Sequence, residues 1–447
     1  MTIHLTPSRL AGLETELKEF QARHRDKDLE TIQNLVAQRY NFASWRQLLN
    51  YTQRGKEKSD DFLRLACLQY HPGDHPSNWD RARELYRELP ELIKESIYHA
   101  SVIGDSEGVE RFLKSDPDLV NQLGGSLDWP PLLYACYSRL NIQDNSTLDV
   151  ARILLDHGAD PNAYFMWGGQ YRFTALTGVL GEGEQGPVNQ PRHEHETELA
   201  TLLLERGASA ADGQGLYNRM FTGGTEHLEL LFQYGLNPPQ KPNWLDVSVR
   251  GNYYPSKINM LTYLLDHAIE RSHEEIILLL LSHNVKPTRK QRRFAYKKAM
   301  LNGDISIAKA LIGAGVKETH LTAVERFVSL VMGPGLDSLG QSSEQLEKLC
   351  AKAMKSHPDT LIKAVNRDRL DTVNTLIDLG WDVNDDSSGI TALHDAAYNG
   401  RLEIAKSLVE AGADLTKKDG RFHTTPTTWA KVGGQMEVAA YLEELGH

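Results

Sequence analysis

The chain lacks most of the features that would fix its chemistry at a glance. Its 447 residues include only three cysteines, Cys67, Cys136 and Cys350, an odd and widely spaced set that fits neither a disulfide framework nor a thiolate metal knuckle. The longest purely apolar run, Ile276 to Leu281, is far too short to span a bilayer. The opening stretch MTIHLTPSRLAGLETELKEF lacks the basic-then-apolar order of a signal peptide. Positive charge is outnumbered: 49 Lys and Arg face 60 Asp and Glu, a formal net charge of −11, which argues against a general binder of nucleic acid or anionic membrane. No GxxxxGK[ST], HExxH or GxSxG signature occurs, and the glycines at Met332-Gly333-Pro334-Gly335 lack the strand-then-helix setting of a phosphate loop. With 40% hydrophobic and 24% charged residues the composition is that of a folded protein. The expectation is a soluble cytoplasmic protein with no cofactor, no nucleic-acid partner and no membrane partner.

What the chain does contain is repetition. The phrase Ile404-Ala405-Lys406 with Gly412 returns as Ile307-Ala308-Lys309 with Gly315, and Asn399-Gly400 returns as Asn302-Gly303 at the same offset. A helix-ending phrase recurs as ILLDHGADPN (Ile153 to Asn162), LLLERGAS (Leu202 to Ser209), LLFQYGLN (Leu230 to Asn237) and TLIDLGWDVN (Thr375 to Asn384). In the clearest copy, Thr391 is placed to cap a first helix, Ala396 and Ala397 let a second helix pack close, and Gly400 suits a tight turn. Ile404, Leu408 and Val409 then form an apolar stripe, and Gly412 ends the second helix. One such pair cannot bury its stripe alone, so neighbours must stack.

The segment Asp386 to Ala413 resembles the ankyrin repeat, with Asp386, Gly389, Thr391, Leu393, His394, Ala396, Ala397, Gly400, Ile404, Leu408 and Gly412 at the family's positions. The last copy, TTPTTWAKVGG, departs from it at Thr427 and Trp429 and resembles a terminal cap. The resemblance implies an all-α ankyrin solenoid and, at His394, a structural histidine. Second-helix ends near Asp116, Gly158, Gly207, Gly235, Asn284, Gly315, His357, Gly380, Gly412 and Gly446 give about ten units. The expected division is an N-terminal helical cap over 1–58, an irregular helical pair starting the array over 59–95, divergent repeats with insertions over 96–285, and more regular repeats over 286–447. Leu35 to Arg54 resembles a piece found ahead of bacterial ankyrin arrays.

Insertions in solenoids fall on loops, often on the binding side. Three are expected, at 137–147, 181–196 and 237–256. The second, GEGEQGPVNQPRHEHE, carries Glu182, Glu184, His193, Glu194, His195 and Glu196. Glu184, His193 and His195 are a legitimate ligand set for a divalent metal, and Glu182, Glu184 and His193 could serve acid–base work; the plainer reading is a solvated acidic loop. Aromatic residues gather in the same half: Trp129, Tyr134, Tyr137, Tyr164, Trp167, Tyr171, Tyr217, Trp244, Tyr253 and Tyr254, with Arg139 among them. Solenoid cores need few aromatics, so this surplus points to an exposed recognition surface, against the simpler alternative of loops packing on each other. Lys286, Arg289, Lys290, Arg292, Arg293, Lys297 and Lys298 form a basic run in an acidic chain, suited to an acidic partner or to a solvated helix face. The reading favoured is a protein-interaction scaffold that binds a protein or peptide through its concave groove and inserted loops. The alternative is an enzyme or small-molecule-binding protein, divalent-metal dependent, with its pocket built by the three insertions.

Overall fold

A computed structural model describes residues 13, 17–23, 27–39, 42–53, 58–90, 95–169, 171–237, 246–247, 258–333 and 343–446. It divides into two compact units, one of residues 1–222 and 226–236, the other of residues 223–225 and 237–447. Both are built from helix pairs. The first holds Ile97–Ile103 with Ser106–Ser115, Pro131–Tyr137 with Thr147–Asp156, Ala175–Leu180 with Glu196–Glu205, and Gly213–Arg219 with Glu226–Gln233. The second holds Met260–Arg271 with Glu274–Ser282, Ala295–Leu301 with Ile305–Gly313, Ala323–Met332 with Ser343–Ser356, Thr360–Asn366 with Leu370–Asp378, Ala392–Tyr398 with Leu402–Glu410, and Pro426–Val432 with Met436–Leu445. Ten repeat pairs therefore stand among the described residues, preceded by Leu29–Arg39 with Trp45–Gln53 and Lys58–Ala66 with Pro76–Glu88, and the only sheets among the described residues are the two-stranded Tyr164–Trp167/Tyr171–Thr174 and Asp246–Val247/Ile258–Asn259.

Local chemistry starts and stops these helices where the sequence suggests. Thr174 and Thr322 close capping boxes with Thr177 and Glu325, and the Thr391 box uses His394, whose Nδ1 lies 2.8 Å from the Thr391 hydroxyl. The far nitrogen of His394 reaches the Thr424 carbonyl at 3.1 Å, which ties one repeat to the next and accounts for this fully buried side chain as structural. Gly158, Gly207, Gly235, Gly315, Gly380 and Gly412 end second helices with φ between 85° and 97°. At five of the six a Cβ would meet nothing, so glycine is needed there for its backbone conformation and not for space. In the second unit, Arg367 binds Asp304 at 2.9 and 3.1 Å and also the Ser272 hydroxyl, while Arg369 donates to the carbonyls of Asn302 and Met332, so four inter-helix turns are stitched together.

The segment ahead of the first unit's repeats does not simply start the stack. The helix Lys58–Ala66 and the strap after it lie across first helices and fingers. Phe62 stacks on His99 of the first repeat, with ring centroids 6.0 Å apart. Leu68 N–H donates to the Tyr137 carbonyl and Arg139 N–H to that of Ala66, both at 2.9 Å, a short antiparallel bridge at the end of the second first-helix. Tyr70 reaches the third repeat, its ring 4.8 Å from Phe173 and its hydroxyl donating to the Thr177 carbonyl at 3.3 Å. The Trp45–Gln53 helix meets finger tips: Gln47 donates to the Leu127 carbonyl at 2.8 Å, Arg46 pairs with Asp128 at 2.8 Å, and Gly168 N–H donates to the Ala43 carbonyl at 2.6 Å.

Candidate functional site

In the first unit the first helices are IYHASVI, PLLYACY and ALTGVL, and every residue of all three is buried. One side faces the second helices; the other is closed by the Lys58–Ala66 helix and its strap. This cover explains where the aromatics go. Trp129, Tyr134 and Tyr137, expected on an exposed recognition surface, are at most 1% exposed and form the core beneath it. Trp129 stacks on Phe165 at 4.5 Å between centroids, Tyr134 donates to the Gly124 carbonyl at 2.9 Å, and Tyr137 to the Thr174 carbonyl at 2.7 Å. Burial of this kind favours the neutral phenol and raises the pKa of both tyrosines well above the usual range.

The insertion at 181–196 folds back on itself and is not a loose acidic loop. Glu182 N–H donates to the Gln190 carbonyl at 2.8 Å and His193 N–H to that of Val179 at 3.1 Å. Arg139, also expected at a binding surface, is buried and clamps the insertion from below. Its guanidinium donates to the carbonyls of Pro191 at 3.0 Å, Gly178 at 2.7 Å and Ser138 at 2.8 Å. Glu182 is 2% exposed, and its carboxylate meets Arg192 Nε at 2.5 Å, Arg219 Nε at 3.4 Å and the Thr222 hydroxyl. Arg219 is fully buried and reaches Glu196 and the Leu180 carbonyl through its Nη1.

The residues proposed for metal or acid–base work do not share one site. His193 is buried; its Nδ1 accepts the His195 N–H at 3.0 Å, which leaves the proton on Nε2, 3.2 Å from the Thr147 hydroxyl. Burial first, then the charges of Arg139 and His195, holds it well below the ordinary histidine pKa. His195 is half-buried, with its ring 5.9 Å from that of His193. Glu184 is exposed and accepts the Tyr217 hydroxyl at 2.5 Å. Among the described residues no three His, Cys, Asp or Glu side chains are grouped to hold a metal ion, so the Glu184, His193 and His195 set is corrected: both His193 nitrogens already have protein partners. Glu182 is likewise engaged by two arginines and a hydroxyl, so the Glu182, Glu184 and His193 acid–base set is corrected too.

Of the remaining aromatics, Trp244, Tyr253 and Tyr254 lie outside the described residues. The Tyr164–Trp167/Tyr171–Thr174 hairpin is different from the core below it. Phe165 pairs with Phe173 and both face inward, whereas Tyr164 is 47%, Met166 37% and Tyr171 42% exposed, with Trp167 half-buried beside Tyr171. Arg172 lies 4.0 Å over the Tyr164 ring and holds it upright. Sequence reasoning missed the strap residues His71 and Asp74, which no repeat pattern marks. Burial pushes His71 down to about 4 and Asp74 up to about 7.

Comparison with known proteins places this geometry. A model described as ankyrin repeats, in three copies, matches residues 338–419, and one described as the ankyrin repeat matches residues 128–164. The palmitoyltransferase Hip14 of Drosophila melanogaster is 34% identical over 87 residues, 19% of this chain and 14% of that protein. A putative palmitoyltransferase ZDHHC13 of Danio rerio is 32% identical over 97 residues, 20% of this chain and 15% of that protein. The palmitoyltransferase ZDHHC17 of Homo sapiens is 29% identical over 87 residues, 19% of this chain and 14% of that protein. The chain thus spans less than a sixth of the length of these relatives. No described helix is long and apolar enough to cross a membrane. The helix pairs, their capping chemistry and the two matched stretches show that this chain carries ankyrin repeats.

Proposed function

We propose that this protein is an interaction scaffold that docks a protein or peptide partner on the Tyr164–Thr174 hairpin, through its Tyr164 and Met166 face and the exposed edge of Tyr171. The observation that carries this reading is the exposure of Tyr164, Met166 and Tyr171 together on one finger; among the described residues of this unit the one other exposed aromatic is Tyr234. Tyr and Met supply large contact area at low cost in side-chain entropy, which suits them to recognition. The groove of the first helices, where a partner would ordinarily be sought, is filled in this unit by the chain's own strap. That arrangement supports binding at the finger in preference to the groove. Palmitoyl transfer belongs to the relatives named above and is not part of this reading.

The test is affinity purification of the full chain against a Tyr164→Ala/Tyr171→Ala variant of unchanged circular dichroism. A partner retained by the wild type and lost by the variant supports the reading. An identical set of partners from both proteins refutes it.

A further inference from the structure

The finger of the second unit that precedes the Ala295–Leu301 helix reads KPTRKQRRF, from Lys286 to Phe294, with five cations and no acidic residue. It is ordered: a short helix spans Arg289–Arg292, capped by the Thr288 side chain, which accepts the Gln291 N–H at 3.2 Å. Two carboxylates of the preceding first helix, Asp266 and Glu270, approach this finger. Neither forms an ion pair with an arginine, although the charge of Arg292 acts on Asp266. Asp266 accepts the Thr288 N–H at 3.1 Å, and Glu270 accepts the Gln291 side-chain amide at 2.8 Å. Arg292 Nε donates to the carbonyl of Pro287 at 2.9 Å, which fixes its direction. Among the described residues Arg289, Arg292 and Arg293 form no ion pair, and all three are exposed.

At the end of this basic turn stands Phe294, 56% exposed, one of the most exposed aromatics described. The finger at 382–390 is the opposite in character, carrying Asp382, Asp385 and Asp386. In a chain of net charge −11, a finger with three arginines outside any ion pair beside an exposed ring is a local inversion of the field.

We infer that the Lys286–Phe294 finger docks an acidic peptide segment of a partner protein, with Arg289, Arg292 and Arg293 meeting its carboxylates and Phe294 covering an aliphatic side chain between them. Arginine forks suit carboxylates bidentately, and a flanking ring supplies the apolar anchor that charge pairs alone lack. The neighbouring carboxylates disfavour a nucleic acid. Lys297 pairs with Glu325, and Glu318 accepts the Tyr296 hydroxyl at 2.9 Å, so acidic side chains interrupt the positive surface along which a phosphate backbone would lie.

This inference shares the scaffold reading but uses another surface, and the experiment separates the two. Fluorescence anisotropy would measure binding of the full chain to a labelled peptide EDLEELDE, to its neutral counterpart QNLQQLNQ, to a leucine-free EDAEEADE, and to a twelve-nucleotide oligothymidine. The expected result is binding of EDLEELDE that weakens about tenfold between 50 and 200 mM salt, with the neutral peptide bound at least about tenfold more weakly. Arg289→Glu/Arg293→Glu should lose about tenfold or more. Phe294→Ala should lose about fivefold on EDLEELDE and almost nothing on EDAEEADE. The Tyr164→Ala/Tyr171→Ala hairpin variant should bind the acidic peptide as the wild type does, so failure at one surface leaves the other standing. Acidic-peptide binding that survives charge reversal, or oligothymidine bound more tightly than the peptide, would overturn the inference.

Discussion

Replacing Glu182 by Gln tests whether the inserted loop is held by a buried charge cluster. The side chain is 2% exposed and faces Arg192 and the fully buried Arg219, so the substitution removes one of only two carboxylates compensating that guanidinium. Breaking one partner of a buried pair costs about 3–5 kcal/mol. Glutamine retains an oxygen for the Thr222 hydroxyl, and Glu196 stays on Arg219, so the low end, about 3 kcal/mol, applies here. Urea denaturation read by circular dichroism should show that loss in the first unit. Hydrogen exchange should quicken over 181–196 before it does over the Ser106–Ser115 helix. Adding Arg219→Met should recover part of the loss, because an apolar side chain of similar length needs no counter-charge. A loss under about 0.5 kcal/mol with unchanged exchange would mean that the cluster is hydrated, and the reasoning would fail.

The His71–Asp74 strap gives a pH signature. His71, held at about 4 against an ordinary 6.5, contributes stability that is complete above 6.5 and is lost as pH falls toward 4. Asp74, raised to about 7 from 3.8, binds its proton more tightly when folded, so its contribution is lost as pH rises from 3.8 toward 7. The slopes oppose each other in between, and Asp74→Asn should unmask the histidine: its unfolding free energy from urea titrations should fall more steeply than the wild type's from pH 6.5 to 4, by about 1.4 kcal/mol per pH unit. Equal slopes in both proteins would exclude this assignment. At the hairpin tip, Gly168 has φ of +62°, and a Cβ there would meet the Gln38 side-chain amide at 1.6 Å. Gly168→Ala should therefore cost about 1–2 kcal/mol and speed hydrogen exchange over 42–53, with the Ser106–Ser115 helix unaffected.

The repeat was legible because its signals are local. Glycines whose left-handed φ ends a second helix, and threonines that open a first one, need no knowledge of the neighbouring repeat. All ten second-helix ends placed from the sequence close helices in the fold, from Asp116 to Gly446. The cover over the first unit was not legible in KSDDFLRLA, an amphipathic helix whose apolar side could have met anything. The signal lay in what it covers. PLLYACY has no polar face at all, whereas TLIKAVN and AYKKAML of the second unit keep lysines on theirs. A helix apolar on every side must be buried on every side, and that rule would have sent Tyr134 and Tyr137 to the core. The metal reading failed because sequence neighbours in a loop that folds back diverge in space: His193 points to Thr147, and Glu184 to Tyr217.

The strap that crosses three repeats changes how the first unit must come apart. A plain solenoid has only nearest-neighbour interfaces, so it can fray repeat by repeat from an end. Here Leu68 is bonded to Tyr137, and Tyr70 to Thr177, across a large separation in sequence. Losing the end repeat exposes the underside of the strap, and losing the strap strips three apolar helices at once. Unfolding of this half is therefore all-or-none, and its folding must wait on closure of a long loop, slower than the local zippering open to a simple array.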